Sequence, residues 1–165
     1  MEFEFLNKTY QDKLANFILQ NHYTIFGGYI YKTLINGDKT DDIDVMVRSK
    51  QEMEILKKKL KRKFKCIELQ NNYMSDEYFS YDMTGIKMLC PNNKKYYYVD
   101  ILMHFNYDMH SFYDFRCYMK NGKLLVSNSH GNEKKIINEL RNRLYRPWYT
   151  MREKDVKYFK NFKSA

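Results

Sequence analysis

The chain has 165 residues, which suits one domain with a sizeable hydrophobic core and excludes a catalytic head joined to large substrate-binding modules. Lysine and arginine total 29 against 20 acidic residues, a formal net charge of +9 that favours polyanionic partners such as RNA, DNA or a nucleoside triphosphate; a basic surface without such a partner is the alternative. No apolar run approaches the roughly 20 residues that span a bilayer, and no signal peptide precedes the first predicted helix, so we expect a soluble, cytoplasmic protein with no membrane partner.

The three cysteines, Cys66, Cys90 and Cys117, lie far apart and form no C-x-x-C pair. Their odd number and apolar neighbours indicate reduced, buried thiols in an intracellular protein. A zinc site that combines Cys90 or Cys117 with His104 and His110 is an alternative, although the spacing matches no zinc pattern.

The first predicted helix begins at Thr9, whose spacing to Asp12 is that of a capping box. Apolar residues follow at helical spacing, so this helix is expected to cover a sheet. Residues 22–26 then form the first predicted strand, which ends at a pair of glycines.

Gly27 and Gly28 open a short helix that ends at residues 36–37, Asn-Gly, a favourable C-cap. Because glycine has no side chain, a ligand can approach the backbone closely at this point. The unpaired N–H groups at the start of a helix suit a phosphate. We therefore expect the glycine pair to contact phosphate groups.

The next predicted strand carries two acids one residue apart, Asp42 and Asp44. Side chains of a strand alternate between faces, so the two carboxylates point the same way while Ile43 and Val45 point into the core. Two adjacent carboxylates repel each other unless a cation lies between them, and they are ligands that magnesium prefers. Combined with a phosphate-binding turn, they indicate phosphoryl or nucleotidyl chemistry on a nucleoside triphosphate.

Ser49 and Glu52 form a second capping box and open a helix whose apolar stripe includes Leu56 and Leu60. The rest of this helix is a run of basic residues. We consider Lys58, Lys61 and Arg62 as contacts for a nucleic-acid backbone; a solvated basic face is the alternative.

Residues 66–70 and 78–89 form two predicted strands, and residues 91–95 a tight turn into a strand over residues 96–103. The β-forming residues on both sides of Asp100 predict a central strand covered on both faces, where an unpaired acid is costly. This cost indicates a chemical role for Asp100, which would complete a site of three carboxylates if its strand lies beside that of Asp42 and Asp44. The alternatives are that Asp100 caps a strand end or pairs with a lysine.

The C-terminal third begins with aromatic residues over 106–115, which either stack on a base or, more commonly, pack in a core. A hairpin about Asn121-Gly122 follows. A helix over residues 133–146 exposes Arg141 and Arg143, further candidates for nucleic-acid contact, and Pro147 ends it. Thr150 with Glu153 predicts the start of a last short helix.

Residues 26–45 resemble the signature of the nucleotidyltransferase superfamily that includes DNA polymerase beta: an apolar residue, Gly-Gly, thirteen residues, and Asp-Ile-Asp followed by apolar residues. Gly-Gly in place of Gly-Ser is similar to the branch of the tRNA CCA-adding enzymes and the poly(A) polymerase head domain. Residues 113–117, Tyr-Asp-Phe-Arg-Cys, resemble a degraded form of the Arg-Asp-Phe-Thr-Ile-Asn segment of the CCA-adding enzymes. Tyr31-Lys32 stands where those enzymes carry an Arg-Asp pair.

The predicted fold is α+β, a mixed β-sheet with helices mainly on one face and C-terminal helices at one end. The resemblance implies a palm-like nucleotidyltransferase catalytic domain over residues 1–130 and a helical extension packed on it over residues 131–165. It implies two Mg²⁺ or Mn²⁺ ions bridged by Asp42 and Asp44, with Asp100 on the ion that activates the attacking hydroxyl. The residues expected to hold the triphosphate or the base are Gly27, Gly28, Lys32 and Arg116.

The predicted activity is the transfer of a nucleoside monophosphate from a nucleoside triphosphate to a hydroxyl, with release of pyrophosphate. The acceptor we expect is an RNA 3′ end like that of tRNA, or another nucleic acid. A second hypothesis is the same chemistry on a protein or small-molecule hydroxyl. A third is a non-catalytic nucleotide- or RNA-binding module, against which the presence of all three acids counts.

Overall fold

The computed structural model describes residues 1–40, 42–69, 84–103, 111–148 and 151–165, which form an α+β fold around one eight-stranded sheet. Its strands are β1 (Glu2–Phe3), β2 (Thr24–Phe26), β3 (Asp42–Val47), β4 (Ile67–Glu68), β5 (Thr84–Asn92), β6 (Lys95–Met103), β7 (Phe115–Lys120) and β8 (Lys123–Asn128). The order across the sheet is β1-β8-β7-β2-β3-β6-β5-β4. Within this sheet β3 and β6 run parallel and the other neighbouring pairs run antiparallel, so the predicted mixed sheet is confirmed.

The described residues form four α-helices: α1 (Tyr10–Gln20), α2 (Lys50–Phe64), α3 (Glu133–Arg141) and α4 (Glu153–Tyr158). A short π-helix covers Tyr29–Leu34, and single 3-10 turns cover Ser111–Tyr113 and Phe159–Asn161. Near the C-terminus, β9 (Leu144–Tyr145) and β10 (Lys163–Ser164) pair in parallel, so the extension over residues 131–165 contains strands as well as helices. None of the helices in the described ranges combines the length and apolar character that a bilayer span requires.

The starts of α1 and α2 follow directly from the sequence. The Thr9 hydroxyl accepts a hydrogen bond from the Asp12 N–H at 3.0 Å, and the Asp12 carboxylate accepts one from the Thr9 N–H at 3.1 Å. The Ser49 hydroxyl likewise accepts from the Glu52 N–H at 3.1 Å. These bonds satisfy N–H groups that the helix itself leaves without partners, and both predicted helix starts are confirmed.

The core lies between one face of the sheet and the two long helices. Ile43 and Val45 of β3 have no solvent exposure and pack with Val99 and Ile101 of β6. The α1 and α2 side chains in the same cluster are Leu14, Ala15, Ile18, Leu19, Met53, Leu56 and Leu60. Because strand side chains alternate, Asp42, Asp44 and Asp100 point to the other face, called the carboxylate face below.

Two further predictions about the sheet are confirmed. Residues 99–103 of β6 are all buried, as expected of a central strand covered on both faces. The β7–β8 hairpin turns on Asn121 and Gly122, whose φ angles of 52° and 74° are both in the left-handed region. A two-residue type I′ turn requires this conformation, and Asn-Gly is the pair that adopts it most readily.

The C-terminal helices differ from the prediction. The helix expected over residues 133–146 ends at Arg141, because Arg143 adopts a left-handed φ of 57° and turns the chain into β9. Helix α4 has Arg152 as its N-cap rather than Thr150, which lies outside the described residues. Residues 22–26 contain β2 rather than the first strand, because β1 precedes α1 at the edge of the sheet.

The remaining strand predictions hold in outline. Residues 66–70 contain the two-residue strand β4, and the strand predicted over 78–89 is β5, which runs from Thr84 to Asn92; residues 70 and 78–83 lie outside the described ranges. Of the aromatic residues over 106–115, Tyr113 and Phe115 are buried in the core, whereas Tyr107 lies outside the described residues.

Candidate functional site

Three carboxylates meet on the carboxylate face of the sheet. Asp44 on β3 is the direct register partner of Asp100 on β6, and Asp42 precedes Asp44 by one full pleat on the same face. One oxygen atom from each of the three side chains lies within 4.8 Å of the other two. The structure thus brings together the three acids that the sequence pattern singled out, although Asp100 is separated from the other two by more than fifty residues of chain.

Burial and mutual repulsion disfavour the charged forms of these acids. The pKa of Asp44 is raised well above its usual range, first by burial and then by the charges of Asp100 and Asp42. Burial also raises the pKa of Asp100 to about 6, an effect that the charge of Lys87 partly offsets. The Lys87 Nζ lies 3.4 Å from the Asp100 Oδ1, an ion pair too long for a strong hydrogen bond. The alternative that Asp100 pairs with a lysine is therefore confirmed as one of its contacts. A divalent cation would compensate the negative charge of the three carboxylates that Lys87 does not.

Gly27 is required both by its own backbone and by Asp44. Its φ of +79° lies in the left-handed region, and a Cβ added there would stand 2.9 Å from the Asp44 Oδ2. Glycine therefore lets the chain leave β2 while passing directly against the carboxylate. Gly28 is different, because its φ of −61° is helical and the nearest atoms to an added Cβ would be those of the Lys32 side chain, 3.8 Å away.

The helix after the glycines is a π-helix rather than an α-helix. The Ile35 N–H donates to the Ile30 carbonyl at 2.9 Å, the wider i to i+5 pattern that recurs at functional sites. Within this helix Lys32 is only 9% exposed, and its pKa is lowered first by burial and then by the charge of Lys154. The Lys32 Nζ also lies 5.6 Å and 5.1 Å from the ring centroids of Tyr31 and Tyr158, which gives the buried ammonium cation–π contacts.

A pocket joins the glycine turn to the acids. Its lining comprises Phe26, Gly27, Gly28, Tyr31, Lys32, Thr40, Asp42, Asp44, Arg152 and Lys154. Asp100, which is 3% exposed, lies next to Asp44 but is not part of the lining. The Asp44 carboxylate lies directly against Gly27, and the Lys154 Nζ is 4.0 Å from the Asp42 Oδ2, so carboxylates and cationic side chains are interleaved around the pocket. Arg152 and Lys154 come from the C-terminal segment, and the sequence patterns gave no indication of their place in the site.

The C-terminal segment is fixed to the π-helix by a buried contact. The Asp155 side chain, 1% exposed, accepts hydrogen bonds from the Tyr31 hydroxyl at 3.2 Å and from the Arg152 Nε at 3.0 Å. The Phe159 ring stacks on the Tyr31 ring at a centroid distance of 6.0 Å and an angle of 12°. Burial and the neighbouring Asp155 raise the pKa of Tyr31, which keeps its hydroxyl a hydrogen-bond donor.

Arg116 lies on the carboxylate face but outside the pocket. It is the register partner of Phe26, which in turn is the partner of Asp44, so it stands two strands away from the acids. Its side chain is 44% exposed, and its Nε is 3.9 Å from the Asp114 Oδ1. Arg116 does not line the pocket, although its strand neighbour Phe115 accepts a hydrogen bond from the Gly27 N–H at 3.3 Å. Its contact with the triphosphate or the base stays a prediction.

The five basic residues predicted to bind nucleic acid, Lys58, Lys61, Arg62, Arg141 and Arg143, do not line the pocket either. The first three are exposed on α2, which packs on the core face of the sheet, so they lie on the side opposite the carboxylates. Arg143 binds the Asp38 carboxylate with both terminal nitrogens, at 2.6 Å and 3.1 Å. Exposed Arg141 has its guanidinium 5.5 Å from the Phe3 ring.

The three cysteine thiols are buried, as predicted. Burial raises the pKa of Cys117, and a hydrogen bond with Cys66 together with burial raises the pKa of Cys90. His104 and His110, the other residues of the alternative zinc site, lie outside the described residues.

No protein-family model matches this chain, and no curated protein matches it. The function is therefore inferred from the site itself.

Proposed function

We propose that this protein is a metal-dependent nucleotidyltransferase, which transfers a nucleoside monophosphate from a nucleoside triphosphate to a hydroxyl group. The observation that carries the proposal is the convergence of three carboxylates, with oxygens within 4.8 Å of one another, beside a pocket lined by Gly27 and Lys32. Carboxylates suit a divalent cation, and cationic side chains suit phosphates. A nucleoside triphosphate carrying a divalent cation needs both kinds of contact side by side.

The donor set fits Mg²⁺ or Mn²⁺. Asp42, Asp44 and Asp100 offer hard oxygen ligands, and the raised pKa values of Asp44 and Asp100, caused first by burial, mean that the protein alone disfavours their charged forms. A bound cation would favour those forms. We propose that these three side chains hold two such ions. When bound, the ions would supply charge compensation on the phosphates and lower the pKa of the attacking hydroxyl.

The chain's own residues bind and orient the substrate. Gly27 lets the backbone pass directly against the Asp44 carboxylate, because a Cβ at this position would stand 2.9 Å from the Asp44 Oδ2. Lys32 attracts a phosphate as a point charge, and the Tyr31 and Tyr158 rings restrict where its ammonium can lie. Positioning and charge compensation of this kind account for most of the catalysis in phosphoryl transfer.

The acceptor that we propose is the 3′ hydroxyl of a nucleic acid, with RNA as the first choice. The net charge of +9 supports a polyanionic acceptor. A protein or small-molecule hydroxyl is the alternative acceptor, and a labelling experiment separates them.

The test uses the purified protein with each α-labelled nucleoside triphosphate, Mg²⁺ or Mn²⁺, and separate pools of RNA, DNA, protein and small-molecule hydroxyl compounds. We expect label on RNA, no label with Asp44→Asn or Asp42→Asn, and unchanged labelling with Glu133→Gln, which alters an acid at the start of α3 that does not line the pocket. Neutralising Asp44 removes repulsion within the acid cluster, so the variant should fold, and circular dichroism checks this. Retained transfer by Asp44→Asn, or no labelled acceptor in any pool with the wild-type protein, would refute the proposal.

A further inference from the structure

Two of the three cysteines face each other across the last two strands of the sheet. β4 and β5 run antiparallel, and Ile67 lies opposite Leu89. Cys66 directly precedes β4, so the same register places it opposite Cys90. The pKa of Cys90 is raised first by a side-chain hydrogen bond with Cys66 and then by burial, so the two sulfurs lie within reach of each other.

The backbone hydrogen bonds determine how closely these two residues approach. The Leu69 N–H donates to the Lys87 carbonyl at 3.0 Å, so this rung and every second rung from it are the hydrogen-bonded ones. Cys66 and Cys90 therefore occupy a non-hydrogen-bonded rung. At such rungs the Cα atoms are about 4.5 Å apart and the side chains lie closest. A disulfide needs a Cα separation of about 4.4–6.8 Å, so the pair suits one.

The surroundings separate this pair from the third cysteine and provide a hydrogen-bond donor. The pKa of Tyr10 is raised first by burial and then by the neighbouring Cys66 and Cys90, so its hydroxyl lies near both sulfurs. This buried hydroxyl has no hydrogen-bond partner in the part of the chain that the structure describes. A donor beside a thiol can stabilise the thiolate, which is the reactive form. Cys117 lies on β7, and the strands β2, β3 and β6 separate it from β5.

We propose that Cys66 and Cys90 form a reversible disulfide, an oxidation site on the opposite face of the sheet from the carboxylates. The oxidant class is a low-molecular-weight disulfide such as oxidised glutathione. When β4, a two-residue strand at the edge of the sheet, separates from β5, the Cys66 thiolate attacks one sulfur of the oxidant and releases one glutathione. The Cys90 thiolate then attacks the Cys66 sulfur of this mixed disulfide and releases the second. One S–S bond is broken and one is formed, and the two protons and two electrons that the protein loses leave on two glutathione thiols.

The bond would tie the end of α2 to the sheet. Cys66 directly follows Lys65, the C-cap of α2, and its N–H donates to the Leu60 carbonyl at 3.4 Å. Cys90 belongs to β5, which pairs along its whole length with β6, the strand that carries Asp100. A cross-link that closes the loop over residues 66–90 restricts the unfolded chain and thereby stabilises the folded one.

The test equilibrates the purified protein with mixtures of reduced and oxidised glutathione, starting once from the reduced and once from the oxidised protein. Acid quenching, blocking of the remaining thiols with N-ethylmaleimide in denaturant, and mass spectrometry of peptides identify the state of each cysteine. We expect a bond between Cys66 and Cys90 and a free Cys117. Cys117→Ala is the matched control, because it removes another buried thiol, and it should form the bond at the same glutathione ratio as the wild type. Cys66→Ala and Cys90→Ala should form no bond within the chain.

Thermal unfolding tests whether the bond fits the native structure. The oxidised wild type should unfold about 5–15 °C above the reduced protein, and dithiothreitol should reverse this rise. Cys117→Ala should show the same rise on oxidation, and Cys90→Ala should show none.

The inference is overturned if all three thiols of the wild type are still free at the highest proportion of oxidised glutathione, or if a mixed disulfide with glutathione is the end product. It is also overturned if Cys117 takes part in the bond, or if the thermal midpoint does not rise on oxidation. Each of these outcomes is independent of the proposed function, which the labelling experiment tests separately.

Discussion

Gly27→Ala should damage the proposed metal site more than it damages the fold. The new Cβ would lie 2.9 Å from the Asp44 Oδ2, whereas ordinary contact begins at 3.4 Å, so the carboxylate must move by about 0.5 Å. Distances between a metal and its ligands are kept within about 0.2 Å, so this displacement exceeds what the site tolerates. We expect the affinity for Mn²⁺ or Mg²⁺ to fall at least about tenfold. The left-handed φ adds a cost of about 1–2 kcal/mol to the free energy of folding.

Gly37→Ala is the matched control for this variant. Gly37 has a φ of +70°, close to that of Gly27, but an added Cβ there would meet nothing within 4 Å. Both variants should therefore lower the thermal midpoint by about 2–8 °C, the shift that about 1–2 kcal/mol produces in a protein of this size. Calorimetric titration with Mn²⁺ then isolates the contact with Asp44. If Gly27→Ala and Gly37→Ala bind Mn²⁺ with affinities within about twofold of each other, the reasoning about the carboxylate is refuted.

Three other predictions address charge and packing. The pKa of Asp100 is raised to about 6 in the folded protein, so the folded state retains a proton that the unfolded chain loses. The contribution of this group to the free energy of unfolding, on the order of 3 kcal/mol, is present below about pH 4 and is lost as the pH rises to about 6. Denaturant unfolding of the metal-free protein at several pH values should show this loss relative to Asp100→Asn, and no difference in pH dependence between the two proteins would contradict it. The triple variant Lys58→Glu, Lys61→Glu, Arg62→Glu reverses charges on α2, on the opposite side of the sheet from the pocket. In steady-state kinetics its KM for the proposed nucleoside triphosphate substrate should stay within about twofold of the wild type. A larger rise would mean that these side chains lie nearer the site. Leu60→Ala should destabilise the fold by about 2–5 kcal/mol because Leu60 is fully buried, whereas Lys61→Ala should change the free energy of unfolding by less than about 0.5 kcal/mol, as chemical denaturation can verify.

The acid cluster could be predicted because each of its members follows a local rule. The period of two places Asp42 and Asp44 on one face of any strand that they occupy, with no tertiary information. The cost of an acid inside an apolar strand indicated a chemical role for Asp100, whereas its place beside the strand of Asp42 and Asp44 was implied by the resemblance to the nucleotidyltransferases. The N-cap hydrogen bonds of Thr9 and Ser49 are equally local, since they span only three residues.

The cationic part of the pocket could not be predicted for the same reason. Lys154 and Arg152 stand in a charged stretch that also contains Glu153 and Lys157, and only the buried Asp155 contact with Tyr31 determines which of these side chains faces the pocket. That contact joins residues 124 positions apart, so no local sequence pattern predicts it.

Only their charge made the basic residues of α2 candidates for contact with a nucleic-acid backbone. The period of the helix does fix them opposite Leu56 and Leu60, but which face of the sheet receives these leucines is decided by the tertiary fold. Since the leucines pack with Ile43 and Val45, the basic residues lie on the far side from Asp42 and Asp44.

The three carboxylates can meet only when β3 and β6 pair in parallel and in the correct register. Asp44 and Asp100 share one rung of this ladder, and a slip of a single residue would turn one of the two carboxylates toward the apolar helices. Neither a hairpin nor any fragment that ends before Asp100 can bring them together, so metal affinity would arise late, once distant strands have joined. A bound ion would then stabilise only the chain that folded in the right register. Misfolded copies would neither bind the ion nor gain this stability.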